Sequence, residues 1–322
     1  MLCLTAGINV MSTAIFDQQR PRLFALAFRF LGSYADAEDA VQDVWLRWHQ
    51  TDISSLKDPT GWLIRVCSNL CLDVLKSARR RRENYVGQWL PEPWVNPFAR
   101  ESEDRLLNQA CLSQAYLVML DELSPHERIA LVLHDVFDWD HAAIAETLGN
   151  RPNNARQILF RARRKMDRLT SGDDDIEGAE TAKKPGIASQ DVTAGKRLTA
   201  SDLAGFVEAL QSGQADRIAA FLAPDITLQG DGGGKAKTNI NTLFGADRIA
   251  RFFAGIWRKN LVNAGLTVVE TGAESWLLFS IDDAVDTALT VLLAPDGIKR
   301  VFLHRNPDKL AHFNPISVNE LD

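Results

Sequence analysis

The sequence predicts a multidomain protein, two all-α domains followed by a separate α+β domain, and three observations predict it. Apolar residues recur at helical spacing through residues 14–88 and again through 109–170. The stretch "SGDDDIEGAETAKKPGIASQDVTAGK" (171–196) is rich in Gly, Asp and Ala and almost free of large apolar residues, the composition of a flexible linker. Beyond Leu198 the texture changes. Four runs, "LTVVET", "SWLLFSI", "TALTVLLA" and "IKRVFLHR", are rich in Val, Leu and Ile and bounded by Gly, Asp and Pro, as antiparallel strands are. Helices followed by such a meander make an α+β domain. The expected domains are therefore 11–88, 109–170 and 198–322, with a Pro-rich linker at 89–108 and a flexible one at 171–197.

The bulk chemistry narrows the class. A chain of 322 residues can bury two or three cores. No apolar run is long enough to span a bilayer, and no membrane partner is expected. The opening "MLCLTAGINVM" lacks a basic segment and a cleavage site, so no signal peptide is expected, and Met1 and Met11 are equally compatible starts. Cys3, Cys67, Cys71 and Cys111 have no framework spacing, which predicts reduced thiols and a cytoplasmic location. The net charge of −6 argues against nucleic acid only until the chain is divided. Residues 1–170 carry 21 cations and 21 anions, whereas 171–322 carry 15 and 21. Within the neutral half, Lys76–Arg82 and Arg161–Arg168 hold five cations each, while Asp36–Asp43 is acidic. Local fields decide what such a surface attracts.

The first helix, "FDQQRPRLFALAFRFLG", stops at Gly32. The second opens on Ser33 with an acid three residues on, a capping-box pattern. It turns Ala37, Val41, Val44 and Trp48 inward and leaves Asp36, Asp39 and Asp43 on another side. Those acids either complement the helix dipole or form a docking stripe for a basic partner; spacing alone leaves both open.

The third helix follows Asp58-Pro59. At 100° per residue, Leu63, Cys67, Leu70, Cys71, Val74 and Ala78 share one face. Trp62, Arg65, Asn69, Asp73, Lys76 and Arg80 share the opposite one, a surface suited to single-stranded nucleic acid by stacking, base-edge hydrogen bonds and phosphate pairing. An ordinary solvated helix face carries the same pattern. The Cys67/Cys71 pair has no His or acid beside it and is expected to fill core, not to bind metal; no cofactor is expected anywhere.

The strongest local signal is "DWDHAAIAETLGNRPNNARQILFRARRKM". A short helix carrying Ala142, Ile144, Ala145 and Leu148 ends at Gly149, and a second starts near Asn153 or Asn154. There Ala155, Ile158, Leu159, Ala162, Met166 and Leu169 form the buried stripe, leaving Arg156, Gln157, Phe160, Arg161, Arg163 and Arg164 outside. Helix, glycine turn and basic helix make a helix-turn-helix, whose front residues read base edges while later arginines meet phosphates. In the C-terminal part, helical segments at 199–212 and 214–222 precede a Gly-rich loop, a helix at 246–260 and the four strands.

These segments carry a likeness. "FRFLGSYADAEDAVQDVWLRW" and "TGWLIRVCSNLCLDVLKSARRRR" resemble region 2 of extracytoplasmic-function (ECF) RNA polymerase sigma factors, and "LDELSPHERIALVLHDVFDWDHAAIAETLGNRPNNARQILFRARRKM" resembles region 4. "WLPEP" (89–93), "DGGGK" (231–235) and "NPDKL" (306–310) resemble the subgroup with a fused SnoaL-like C-terminal domain. The resemblance implies a region 2 helical bundle, a region 4 helix-turn-helix and a C-terminal SnoaL-like cone. It implies core RNA polymerase and promoter DNA as partners. Asp36, Glu38, Asp39, Gln42 and Asp43 then match the polymerase-docking surface, and Asn69 and Asp73 match positions at the unpaired −10 base. Arg156, Gln157, Phe160 and Arg161 match positions at the −35 element. "GNRPNN" departs from the family, since Pro152 stiffens the turn and leaves the start of the recognition helix open by a residue or two.

The stretch "KSARRRRENYVGQWLPEPW" (76–94) then acquires a role. Its cations grip promoter phosphates, and Pro91 and Pro93 force an extended path. Trp89, Leu90 and Trp94 cost about 1.5–3 kcal/mol each to leave in water. They are expected to dock, with Glu92, on the C-terminal domain, through Asp231, Gly232, Gly233, Gly234 and Lys235 and through Asn306, Pro307, Asp308, Lys309 and Leu310. Such an intramolecular contact is a regulator in cis. Two rival readings are an enzyme or small-molecule sensor, with Asp231, His304 or His312 in a pocket, and a simple helix-turn-helix repressor. The first lacks a paired acid–base motif, a nucleophile elbow or metal-ligand spacing. The second has no use for the 62–82 helix or the acidic stripe.

Overall fold

The computed structural model describes residues 2–82, 85–95, 112–171, 200–271 and 274–313. The linker expected beyond Ser171, the Pro-rich linker from residue 96 on, Cys111, and the side chains of Cys3 and Arg80 lie outside the described residues. The described chain forms two compact units. One contains 2–81 and 117–171; the other contains 85–95, 112–116 and 200–313.

The first unit is helical: α1 (Leu2–Leu31), α2 (Tyr34–His49), α3 (Pro59–Arg82), α4 (Gln114–Asp121, of which 117–121 belong here), α5 (Pro125–Phe137), α6 (His141–Thr147) and α7 (Pro152–Ser171). Local chemistry sets their ends. Gly32 adopts φ 66° and returns its N–H to Phe28 O, closing α1. Ser33 accepts from Asp36 N to start α2. Ser124 and Glu127 cap α5 reciprocally behind Pro125. Asp140 accepts from Ala143 N at 2.8 Å to start α6.

Burial follows the expected faces on α2, where Ala37, Val41, Val44 and Trp48 are all inside. On α3 the core face is rotated from the expected one. Leu63, Cys67 and Cys71 are buried together with Leu72 and Leu75, while Leu70 and Val74 are half-buried. Neighbours on several sides draw the stripe wider than a single helical row. Trp48 Nε1 donates to Ser12 O at 3.0 Å, so the largest core side chain keeps its one polar atom satisfied. Arg128 of α5 is buried; its Nη1 donates to Phe30 O at 2.8 Å and its Nη2 to Asp121 at 2.6 Å. Phe30 O lies in the last turn of α1, where carbonyls have no helical partner, so this guanidinium closes one helix from another.

The second unit contains α8 (Ala200–Ser212), α9 (Ala215–Ala219), β1 (Leu222–Asp231), β2 (Leu243–Phe244), α10 (Ala246–Ile256) with a π-helical turn (Trp257–Leu261), β3 (Gly265–Glu270), β4 (Ser275–Ile281), β5 (Ala284–Ala294), β6 (Gly297–His304) and the short α11 (Pro307–Leu310). The six strands form one mixed sheet in the order β2-β1-β6-β5-β4-β3. The four expected strands are its antiparallel meander. β1, expected as the end of a helix and a Gly-rich loop, is instead a ten-residue strand parallel to β6, with Asp231 opposite His304. Between 226 and 230 its buried positions, Ile226, Leu228 and Gly230, alternate at strand period. The β4–β5 hairpin turns through Asp282 and Asp283 at φ 51° and 60°, both residues in the left-handed region as a two-residue hairpin requires.

One face of the sheet buries Ile226, Leu228, Leu277, Leu289 and Val301 against Leu203, Phe206, Ile249 and Phe253 of the helices. The other face packs Trp276, Leu278 and Ala288 against Leu310 and Phe313, with Val95 at its margin. His304 lies fully buried here, its ring 5.5 Å from that of Trp276. Burial pushes its imidazole down to about 3, so it is neutral.

Glu274, at the head of β4, accepts the backbone N–H of Gln114 on both oxygens, at 3.0 and 3.1 Å, and the hydroxyl of Thr290 at 3.4 Å. Burial pushes its carboxyl up to about 8, the bonds from Gln114 and Thr290 pulling the other way. A folded-state pKa raised in this way gives stability that is full below the unfolded value, about 4.5, and is lost as pH rises through 8. The thermal midpoint is therefore expected to decline between pH 5 and 8, and Glu274→Gln to flatten that decline. Parallel melting-temperature profiles for the two proteins would contradict this assignment.

Candidate functional site

Three surfaces of the helical unit carry the side chains singled out in the sequence. On α2, Glu38, Asp39, Gln42 and Asp43 are exposed and Asp36 is half-buried. Glu38 pairs with Arg20 at 2.6 Å, both exposed, which leaves the stripe strongly acidic. Leu46 stands one helical step further along the same row and is 53% exposed. Sequence reading missed it; an apolar side chain in a polar row was the available signal.

On α3, Trp62, Arg65 and Asn69 are half-buried while Asp73 and Lys76 are exposed. The Trp62 ring lies 5.6 Å from Trp48, so the stripe is anchored to the core at its N-terminal end. Lys76 Nζ sits 3.4 Å from Asp73. Arg65 donates to Glu146 of α6 at 2.8 Å.

In the helix-turn-helix, Asn150 N returns to Ala145 O behind Gly149 at φ 62°. α7 starts at Pro152, a residue or two earlier than the asparagines expected to begin it. Proline suits the first helical position because its missing N–H has no partner there in any case. Ala155, Ile158, Leu159, Ala162 and Met166 are buried; Arg156, Gln157, Phe160, Arg161 and Arg164 are exposed. Phe160 is 66% exposed, a large apolar surface among cations. Arg163 differs from its neighbours. It turns back to Asp135 at 2.6 Å and to His134 at 3.0 Å, so its charge is spent within the fold.

In the sheet unit the three short motifs meet at one carboxylate. Asp231 is fully buried at the end of β1. It accepts from Tyr85 Oη (2.6 Å), Leu90 N (2.9 Å), Gly233 N (3.0 Å) and Lys309 Nζ (2.7 Å). Lys309 is buried as well, donates also to Leu90 O, and stands 4.4 Å from the Trp89 ring centre. Asn306 Nδ2 donates to Tyr85 Oη at 3.0 Å, and burial together with Asp231 pushes the Tyr85 phenol well above its usual range. Gln88 donates to Thr242 at 2.6 Å and accepts from Gly230 N. Gln114 Nε2 donates to Pro91 O at 2.9 Å. Leu90, Pro91, Pro93 and Trp94 are buried, and Glu92 and Trp89 half-buried.

The glycines of "DGGGK" are required by space. A Cβ on Gly232 would stand 2.2 Å from Ala236 O, and one on Gly233, at φ 59°, 2.4 Å from Asn306 Nδ2. Lys235 and Asp308 form an exposed pair at 2.5 Å, and Gly234 faces Val86. Tyr85, Gln88, Gln114 and Glu274 belong to this network and were not found in the sequence. Their partners lie about 140–160 residues away along the chain, beyond the reach of any local pattern.

Of the residues of the enzymatic reading, His304 is buried with neither ring nitrogen hydrogen-bonded among the described residues, while the other two are engaged. Asp231 has its lone pairs filled, and His312 approaches Glu92 at 3.9 Å. Phe253, Trp257, Phe279, Leu289 and Arg305 line an apolar cavity, and Arg305 is paired with Asp286 at 2.8 Å.

Comparison with known proteins identifies the family. The Sigma-70 region 2 family matches residues 15–81 and the Sigma-70 region 4 family residues 113–166. The chain is 36% identical to the ECF RNA polymerase sigma factor SigJ of Mycobacterium tuberculosis over 314 residues, 93% of each chain. It is 30% identical to the probable ECF RNA polymerase sigma factor SigI of the same organism over 247 residues, 76% of this chain and 77% of that one. The crystal structure of Mycobacterium tuberculosis SigJ superposes with a TM-score of 0.67 at 29% identity, covering 92% of this chain and 97% of that one. With regions 2 and 4 in order and a relative matched along nearly its whole length, the chain belongs to the extracytoplasmic-function RNA polymerase sigma factors, which direct transcription initiation at promoters.

Proposed function

We propose that this sigma factor divides promoter reading between two helices and has its output set in cis by its sheet domain. α7 reads the −35 duplex through Arg156, Gln157, Phe160 and Arg161, with Arg164 on phosphate. Arg163 instead braces α7 against α5. α3 reads the unpaired −10 strand through Trp62, Arg65, Asn69 and Asp73, and Lys76 with the cations up to Arg82, Arg80 among them, grips phosphates. Asp36, Glu38, Asp39, Gln42 and Asp43 dock on core polymerase, with Leu46 as the apolar centre of that contact. The carrying observation is the separation of two outward-facing polar rows, one basic and one mixed, from an acidic row on the same helical unit. The domains run as 11–88, 89–108, 109–170, 171–197 and 198–322, and the protein works in the cytoplasm. No helix among the described residues is long and apolar enough to cross a membrane.

The sheet domain acts as a non-catalytic regulator. What supports this is the Asp231 node, which ties Tyr85 and Leu90 of the segment leaving α3 to Lys309 near the end of the described chain. A hold on the linker sets how freely regions 2 and 4 reach the separation a promoter imposes.

Reconstituted transcription on a promoter library, with core polymerase and purified chain, tests the reading. Arg156→Ala or Arg161→Ala should lower output roughly tenfold or more and relax preference at −35, a base contact being worth about 1–3 kcal/mol. Asn69→Ala with Asp73→Ala should do so at −10; undiminished initiation by either set would refute the assignment. Asp231→Ala removes the carboxylate that the buried Lys309 pairs with, a loss of about 3–5 kcal/mol for such a pair. It should speed proteolysis within residues 85–95 at least tenfold and alter output at least twofold without reordering the preferred promoters. Unchanged cleavage and output would exclude the cis-regulatory role.

A further inference from the structure

We infer that the sheet domain holds the chain at a second place, where Glu274 latches the start of region 4, and that this latch loosens as the medium turns from acid to alkaline. The inference deepens, and rests on, the reading of the sheet domain as a regulator in cis.

The latch closes on the first helix of region 4. The region 4 match begins at residue 113, and α4 starts at Gln114. The first amides of a helix have no carbonyl of their own to bond. Ser113 Oγ accepts one of them, from Tyr116 N at 3.4 Å. Glu274, at the head of β4, accepts another, from Gln114 N, on both of its oxygens. A carboxyl is the fitting group there, since the helix dipole presents its positive end. Gln114 and Glu274 belong to the same compact unit, and residues 112–116 are all buried in it. Gln114 also joins the two holds. Its Nε2 donates to Pro91 O at 2.9 Å, so one residue ties the start of region 4 to the segment that leaves region 2.

Proton sensitivity comes from the small number of donors. Asp231 is served by four, one of them an ammonium group. Among the described residues, Glu274 faces the Gln114 N–H from α4, the Thr290 hydroxyl from β5 and Trp276 on its own strand, and none of these is charged. Glu270 of β3, opposite Ser275, is exposed to water. Burial therefore favours the neutral acid. Once ionised, the side chain gains by reaching water, which requires the 112–116 turn to lift away. In acid, below about 4.5, open and closed forms both keep the proton and the latch is firm. Above that value it weakens by up to about tenfold per pH unit, and it levels off once the closed form also ionises, at about 8.

Hydrogen–deuterium exchange of the full chain, read by mass spectrometry from about pH 5.5 to 9 and corrected for the intrinsic exchange rate, tests the latch. Protection of the peptide covering 112–116 should fall about three- to tenfold per pH unit up to about pH 8 and then level off. Glu274→Gln keeps an acceptor for Gln114 N but cannot ionise, so its protection should change by less than about twofold over the same range. His312, 3.9 Å from Glu92 and held below its ordinary value by burial, is retained in that variant, so any slope it causes would persist there. Wild-type protection at 112–116 that does not vary with pH refutes the latch whatever the variant does. A slope that survives in Glu274→Gln belongs to another group and overturns the inference as well. The regulatory reading fails separately, through unchanged cleavage and output in Asp231→Ala; a Glu274-dependent slope found alongside that result still supports the latch.

Discussion

A carboxylate removed from water must find its whole hydration shell in the protein, and the sheet unit is organised around one that does. Asp231 draws a phenol, two backbone amides and an ammonium group. No subset suffices, because a buried charge with a donor missing costs more than the pair returns. That requirement explains why the peptide at 85–90 takes a single path, why Lys309 is buried, and why Gly233 turns its N–H inward.

The helical unit obeys a different constraint, that polar rows stay outward while several partners compete for them. Arg163 shows how geometry decides. It shares a helix with Arg161 and Arg164, yet Asp135 and His134 claim it for the interior. Arg65 shows the intermediate case, half-buried and engaged by one neighbour. Total charge says nothing about either residue; the direction each side chain takes does.

The helices were readable from the sequence because their information is local. The inward face of α2 and the buried stripe of α7 emerge from 3.6-residue spacing alone, and Ser33 and Gly32 mark ends through their own chemistry. Where burial comes from several directions, as on α3, spacing gave the helix but not the exact direction of its core face: Leu72 and Leu75 are inside, Leu70 and Val74 less so. β1 escaped because its partner strand lies some 70 residues on and its tip merges into glycines. In the site, the motifs pointed to Asp231 and Lys309, but Tyr85, Gln88, Gln114 and Glu274 are defined only by partners far along the chain. A long-range hydrogen bond leaves no periodic trace.

The parallel pairing of β1 with β6 has a temporal side. Lys309 lies 78 residues beyond Asp231, past β6, so the ribosome must add all of that span before the carboxylate acquires its ammonium partner. At about 5–20 residues per second, the span from Ser171 to Lys309 takes on the order of ten seconds to synthesise. During that interval the helical part of a nascent molecule has already emerged while Trp89 and Leu90 have no sheet to bury against. Until that span is made, the node around Asp231 lacks its ammonium donor.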